Sequence, residues 1–196
     1  MNSDELLKRI FEFNDTSNKF EYGLFIDGKR KKNSTSEDWD KNFKLASPDQ
    51  FEKRGGGVCW DWVSYEANHF RKNFPEVRFT TWYIGFDNGK SCPTHTFLTF
   101  ELEGKTYYFE SSFYKYKGIY TGEIKDILNF VMTNMNNNPP EGESDLVNHP
   151  YTITKYNALN SKIYGYNCGQ FMSYCSNSQR VLHKYNPNFK TPTKIH

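Results

Sequence analysis

The dipeptide Glu103-Gly104 constrains the fold more than any other feature of the chain. It joins two alternating segments, Thr94-His95-Thr96-Phe97-Leu98-Thr99-Phe100-Glu101-Leu102 and a return run from Lys105 to Ser112. A two-residue connection of this kind makes them an antiparallel hairpin. Leu102 then faces Lys105; counting back along both strands, Glu110 lies opposite Phe97 and His95 near Ser112. Residues two apart on a strand share a face. His95 and Glu110 are therefore expected diagonally on one face, within reach of each other. A third alternating run, residues 80–86, comes before the hairpin, and Asp87-Asn88-Gly89-Lys90 supplies the turn between them.

Upstream lies Gly55-Gly56-Gly57-Val58-Cys59-Trp60-Asp61-Trp62. From Cys59 on, Trp62, Val63, Ala67 and Phe70 recur at helical spacing, and Pro75 ends the run by turning Phe74 away from helical angles. Cys59 thus opens a helix, where unpaired N–H groups and the positive dipole end favour a thiolate. The glycines let backbone N–H groups approach a bound carbonyl, and the Cys59 N–H is itself an oxyanion donor. Alone, Cys59 reads as a small core residue, and His95 with Glu110 as a hairpin surface pair. Together they form a set in which Glu110 fixes the imidazole and His95 takes the thiol proton.

Gly57-Val58-Cys59-Trp60-Asp61-Trp62, Thr94-His95-Thr96-Phe97 and Tyr108-Phe109-Glu110-Ser111-Ser112 resemble the transglutaminase-like superfamily. The resemblance covers roughly residues 47–127. It implies a papain-like core in which a nucleophile helix packs on an antiparallel sheet carrying the His and the acid. Cys59 would be the nucleophile, His95 the general base and Glu110 the orienting acid. Glu stands where Asp is usual in that family, and no glutamine lies just before the Cys. Gln50, in Ser47-Pro48-Asp49-Gln50-Phe51, is either the oxyanion donor or an ordinary residue of a helix capped by Ser47. Gly57 and Trp60 are the other candidates for substrate contact, with Trp60 and Trp62 also readable as packing residues. Asp87 is an alternative acid.

Aromatic residues are 18% of the 196, so Phe, Tyr and Trp are expected to build the core of a single domain. A formal net charge of +2 predicts no strong polyanion partner. Lys29-Arg30-Lys31-Lys32 reads as a solvated loop. A nucleic-acid adaptor built on it and the C-terminal basic residues would need binding that persists at physiological salt. The polar start of the chain shows no export signal, so Cys59, Cys92, Cys168 and Cys175 are expected as reduced thiols in a cytoplasmic protein. Cys92 reads as a bystander. The Cys168 and Cys175 spacing is not that of zinc ligands, and no stretch suits a membrane span. No metal, cofactor or membrane partner is expected.

Elsewhere, residues 4–13 read as a helix with Leu6, Leu7, Ile10 and Phe11 inward, 14–18 as a break and 20–27 as a strand. Residues 123–135 form a helix, 136–143 a loop, 151–156 a strand and 169–175 a short helix. From Ser176 the chain, with Arg180, His183, Lys184, Lys190 and Lys194, reads as a possible flexible basic tail (179–196). His69, His149 and His183 are structural or exposed.

The expectation is an α+β, papain-like domain over 1–196, with its core at 47–135 and an extension at 151–178. Its chemistry would be acyl transfer on peptide or amide bonds through a thioester, with a peptide or protein substrate. Water as second nucleophile gives a peptidase or deamidase; an amine gives a transglutaminase or acyltransferase. The alternative is a catalytically inactive binding module on the same fold.

Overall fold

The computed structural model describes residues 2–195 apart from Asn88, Lys90, Ser91 and 139–144. Its elements in chain order are α1 (Ser3–Thr16), β1 (Glu21–Tyr22), β2 (Phe25–Ile26), β3 (Lys29–Arg30), α2 (Ser36–Asn42), α3 (Pro48–Arg54), β4 (Gly56–Gly57), α4 (Cys59–Asn73), β5 (Arg78–Phe86), β6 (Thr94–Leu102), β7 (Lys105–Glu110), β8 (Gly118–Thr121), α5 (Ile124–Asn137), β9 (Tyr151–Tyr156), α6 (Cys168–Ser176), β10 (Gln179–Arg180) and β11 (Thr193–Ile195). The architecture is α+β. Seven strands make one antiparallel sheet in the order β10-β9-β5-β6-β7-β8-β11.

The β6–β7 hairpin has the register its turn requires: Leu102 pairs with Lys105 and Leu98 with Phe109. Glu103 and Gly104 both take positive φ, 50° and 73°, which matches the twist of the flanking strands. Strand alternation then sorts side chains into two cores. Tyr83, Leu98, Phe100 and Phe109 pack with Val63, Ala67 and Phe70 of α4, with Ile10 and Phe13 of α1 and with Phe171 of α6. Trp82, Phe97, Tyr108 and Tyr120 pack on the opposite face with Ile127, Leu128 and Val131 of α5. Both cores are aromatic. The Phe70 ring alone meets those of Phe13, Phe74, Phe79, Phe100 and Phe109, each such pair adding roughly 0.5–1.5 kcal/mol beyond its burial.

Several expectations are corrected. The strand expected at 20–27 is broken at Gly23. β1 pairs in parallel with β4, and β2 turns back on β3 as a separate hairpin. The break expected from Asn14 is still helical to Thr16, because Asn14 is buried and its amide donates to the Ser111 hydroxyl. The segment 151–178 is not an appendage. β9 lies beside β5 inside the sheet, with Ile84 against Ile153, and α6 packs over it.

The possible flexible tail is likewise a strap. It adds β10 at one edge of the sheet and β11 at the other, with Val181, Tyr185 and Phe189 packed on the α5 side between them. Polar groups of α5 hold its backbone: Asn129 accepts from the Asn186 N–H and Asp126 from the Lys190 N–H. The strap also covers two sheet edges that would otherwise offer unpaired backbone groups. Part of the turn at 87–90 and of the loop at 136–143 lies outside the described residues.

Candidate functional site

α4 opens at Cys59 because β4, just before it, is pinned. Gly57 has no room for a side chain: a Cβ there would lie 2.6 Å from Asp61 and 2.7 Å from the Arg54 guanidinium. At Gly56, where φ is +151°, a Cβ would lie 2.0 Å from the Glu21 carbonyl oxygen. These close approaches bring β1 alongside the start of α4, with Tyr22 paired to Gly57. Asp61 locks the turn from inside. It is 1% exposed, meets Arg54 at 2.6 Å and accepts the N–H groups of Val58 and Ala46 at 3.0 and 2.7 Å.

His95 and Glu110 lie on the α5 side of the sheet, His95 in line with Phe97. The N-terminus of α4 reaches the same end of β6 from the other side, where the Trp60 indole donates to the Thr94 hydroxyl at 3.1 Å. Cys59, His95 and Glu110 are 5%, 5% and 2% exposed. His95 Nε2 and Glu110 Oε2 are 2.7 Å apart, and the imidazole is within electrostatic reach of the Cys59 thiol. With Nε2 on the carboxylate, Nδ1 is the nitrogen left for sulfur. The three residues read from the sequence are thus brought together.

Glu110 is fully engaged. Its Oε2 also accepts the Tyr108 hydroxyl at 2.5 Å, and its Oε1 accepts the Ser112 N–H, the Ser112 hydroxyl and the Phe113 N–H at 2.7, 2.9 and 2.8 Å. These donors hold the longer Glu arm in one orientation. Burial alone would raise the Glu110 pKa, but the facing His95 and these donors carry it down to about 2. Burial alone would lower that of His95, but the charge of Glu110, the nearby Cys59 sulfur and the hydrogen bond to Glu110 carry it up to about 10. The geometry favours an imidazolium between thiol and carboxylate.

Three residues of this site carry no sequence signal. Tyr22, on β1, is 46% exposed, and its phenol lies within electrostatic reach of the Cys59 sulfur. Burial and the neighbouring sulfur push the phenol well above its usual value. Glu66, two turns beyond Cys59 on α4, is 2% exposed, and its Oε1 has no hydrogen-bond partner. Burial and then the Glu110 charge raise its pKa well above the usual carboxylate range. Lys117, half-buried, lies over the Trp62 ring and faces Glu66 and Glu110; burial lowers its pKa. Tyr22 is found only through the β1–β4 pairing, and Glu66 only by counting along α4 from Cys59.

The other expected site residues are engaged in packing and capping contacts. Gln50 is exposed and its side-chain oxygen accepts the Ser47 N–H, completing the capping box of α3. It borders a cavity of about 870 Å³ that none of the three triad residues lines. Gly57 spends its carbonyl on the Trp62 indole and the Gly23 N–H. Trp60 packs between Phe43 and Phe171. Asp87 is exposed and accepts from the Gly89 N–H. None of the four cysteines forms a disulfide. No helix of the described residues is long and apolar enough to cross a membrane.

Comparison of the chain with family models, with curated proteins and with solved structures finds no match in any of the three.

Proposed function

We propose that this protein is a cysteine-dependent acyl-transfer enzyme with a papain-like, transglutaminase-like core. The observation that carries the reading is the buried, hydrogen-bonded His95–Glu110 pair beside the Cys59 thiol at the start of a helix. A buried imidazole between a sulfur and a fully engaged carboxylate is suited to hold the thiol proton.

In the first step the Cys59 sulfur bonds to the carbonyl carbon of a peptide or amide. The carbonyl electrons move to oxygen, which meets the Cys59 N–H. The Tyr22 phenol, near the Cys59 sulfur, is the candidate for the second donor in place of Gln50. The C–N bond then breaks and the amine leaves with the proton from His95. In the second step His95 takes a proton from water or an amine as that nucleophile attacks the thioester. The C–S bond breaks and the thiol re-forms. Burial favours this sequence, because the ion pair is little screened.

The experiment is acylation by p-nitrophenyl acetate followed by intact mass and peptide mapping. The proposal expects an acetyl group on Cys59, formed with a burst of nitrophenolate and absent from Cys59→Ala and His95→Ala. Acetylation that is spread over other residues and indifferent to His95 contradicts it. That result, with the fold intact, favours the inactive binding module.

A further inference from the structure

A cavity of about 340 Å³ opens beside the triad, and its wall includes His95 and Tyr22 but not Cys59. We propose that it receives one bulky apolar side chain, aromatic or branched aliphatic, on the leaving-group side of the bond that Cys59 attacks. The assignment rests on the cysteine chemistry proposed above.

Three observations support it. Its apolar members are Pro93, Phe113, Met135 and Leu146, joined by the rings of Tyr22 and Tyr114, and among the described residues it contains no Lys, Arg, Asp or Glu. Three of its polar members are already engaged. The Thr94 hydroxyl accepts from Trp60, the Ser112 hydroxyl donates to Glu110, and the Asn138 amide donates to Tyr116 and to the Asn134 carbonyl while its oxygen accepts from Lys115. The His95 imidazolium in the wall is already paired with Glu110 at 2.7 Å, so a charged group entering here would lose its water for little return, which is costly. The side of the bond follows from His95. The acid that protonates the departing amine must face it, and this cavity lies against that imidazole. The volume sits near the lower end of the usual range for ligand sites, roughly 300–1,000 Å³, which suits one side chain. The larger cavity near Gln50 is lined by Lys41, Lys44, Lys53 and Arg54 and offers a different chemistry.

The test uses chloroacetamides, in which the Cys59 S–C bond forms as C–Cl breaks and chloride leaves. The N-substituents are benzyl, isobutyl, carboxymethyl and 2-aminoethyl, with the unsubstituted amide as reference. Labelling of Cys59 is followed by peptide mapping at about pH 9, where even an ordinary thiol is largely ionised. The ratio between reagents is then readable whether or not His95 activates the sulfur. The benzyl and isobutyl reagents are expected to label Cys59 about tenfold faster than the carboxymethyl and aminoethyl ones. Met135→Trp should bring that ratio towards one, and Phe113→Ala should move the optimum to naphthylmethyl. Met135 is buried and its variant is open to misfolding, so the wild-type series decides alone. Equal rates, or faster labelling by a charged reagent, overturn the assignment. Unsubstituted chloroacetamide at about pH 6 reads the underlying chemistry separately. A rate there that ignores His95→Ala sinks the cysteine mechanism, whereas an activated thiol with a flat reagent ratio sinks only the pocket.

Discussion

The starts of α3 and α4 are close in sequence and satisfy their first amides in opposite ways. At α3, Ser47 and Gln50 cap each other, two neighbouring residues on an exposed turn. At α4 the cap is Asp61, enclosed and shared among Val58, Ala46 and Arg54, so the helix start is tied to the end of α3 and to the preceding loop. The first arrangement is local and leaves nothing for a ligand. The second spends long-range contacts to hold Cys59 still against β6 and β1. A helix N-terminus becomes a candidate reactive site when its capping residue is also anchored by other elements and its first side chain is free to face a partner.

The largest expected effect breaks the α4 side of that contrast. Asp61→Ala leaves the Arg54 charge and two amides without their partner, and should cost about 3–5 kcal/mol, read as a drop in the urea midpoint. An unchanged midpoint would mean that Asp61 does not hold the turn. Next, Tyr22→Phe removes the proposed second oxyanion donor. Acetylation of Cys59 should slow by about a hundredfold. Equal rates in stopped-flow bursts would remove Tyr22 from the mechanism.

The pH dependence of stability comes third. His95 is raised in the folded state, from 6.5 to about 10, so its contribution is complete below 6.5 and is lost as pH rises to about 10. Glu110 is lowered, from 4.5 to about 2, so its contribution is present above 4.5 and fades as pH falls to about 2. Urea midpoints should decline on both sides of the 4.5–6.5 window, and His95→Gln should flatten the alkaline limb. A limb that persists in this variant belongs to other groups. Smallest is Gln50→Ala, which loses one reciprocal cap bond on an exposed turn. It should cost about 0.5–1 kcal/mol by urea titration and leave acetylation at the wild-type rate. A slowed acetylation would return Gln50 to the site.

What the sequence made legible follows the range of the interactions. The Glu103-Gly104 turn sets a register within one hairpin, and that register is enough to place Glu110 beside His95. The α3 cap is equally local. Tyr22 was invisible because its place depends on a two-residue parallel pairing with Gly56 and Gly57, which no alternation announces. The role of Asp61 is not legible because its partners Arg54 and Ala46 lie outside the helix pattern. The strap after Ser176 reads as a tail because its polar composition hides Tyr185 and Phe189, and because its backbone partners Asn129 and Asp126 lie far back in sequence on α5.

The central claim is that His95 activates Cys59. Its most direct test is the rate of Cys59 alkylation by iodoacetamide against pH, in the wild type and in His95→Ala, with the modified peptide identified by mass. The account predicts rapid labelling at about pH 6, well below the ordinary thiol range of about 8.5, and its loss in the variant. Labelling that rises only near that ordinary range, with the same profile in both proteins, would contradict it.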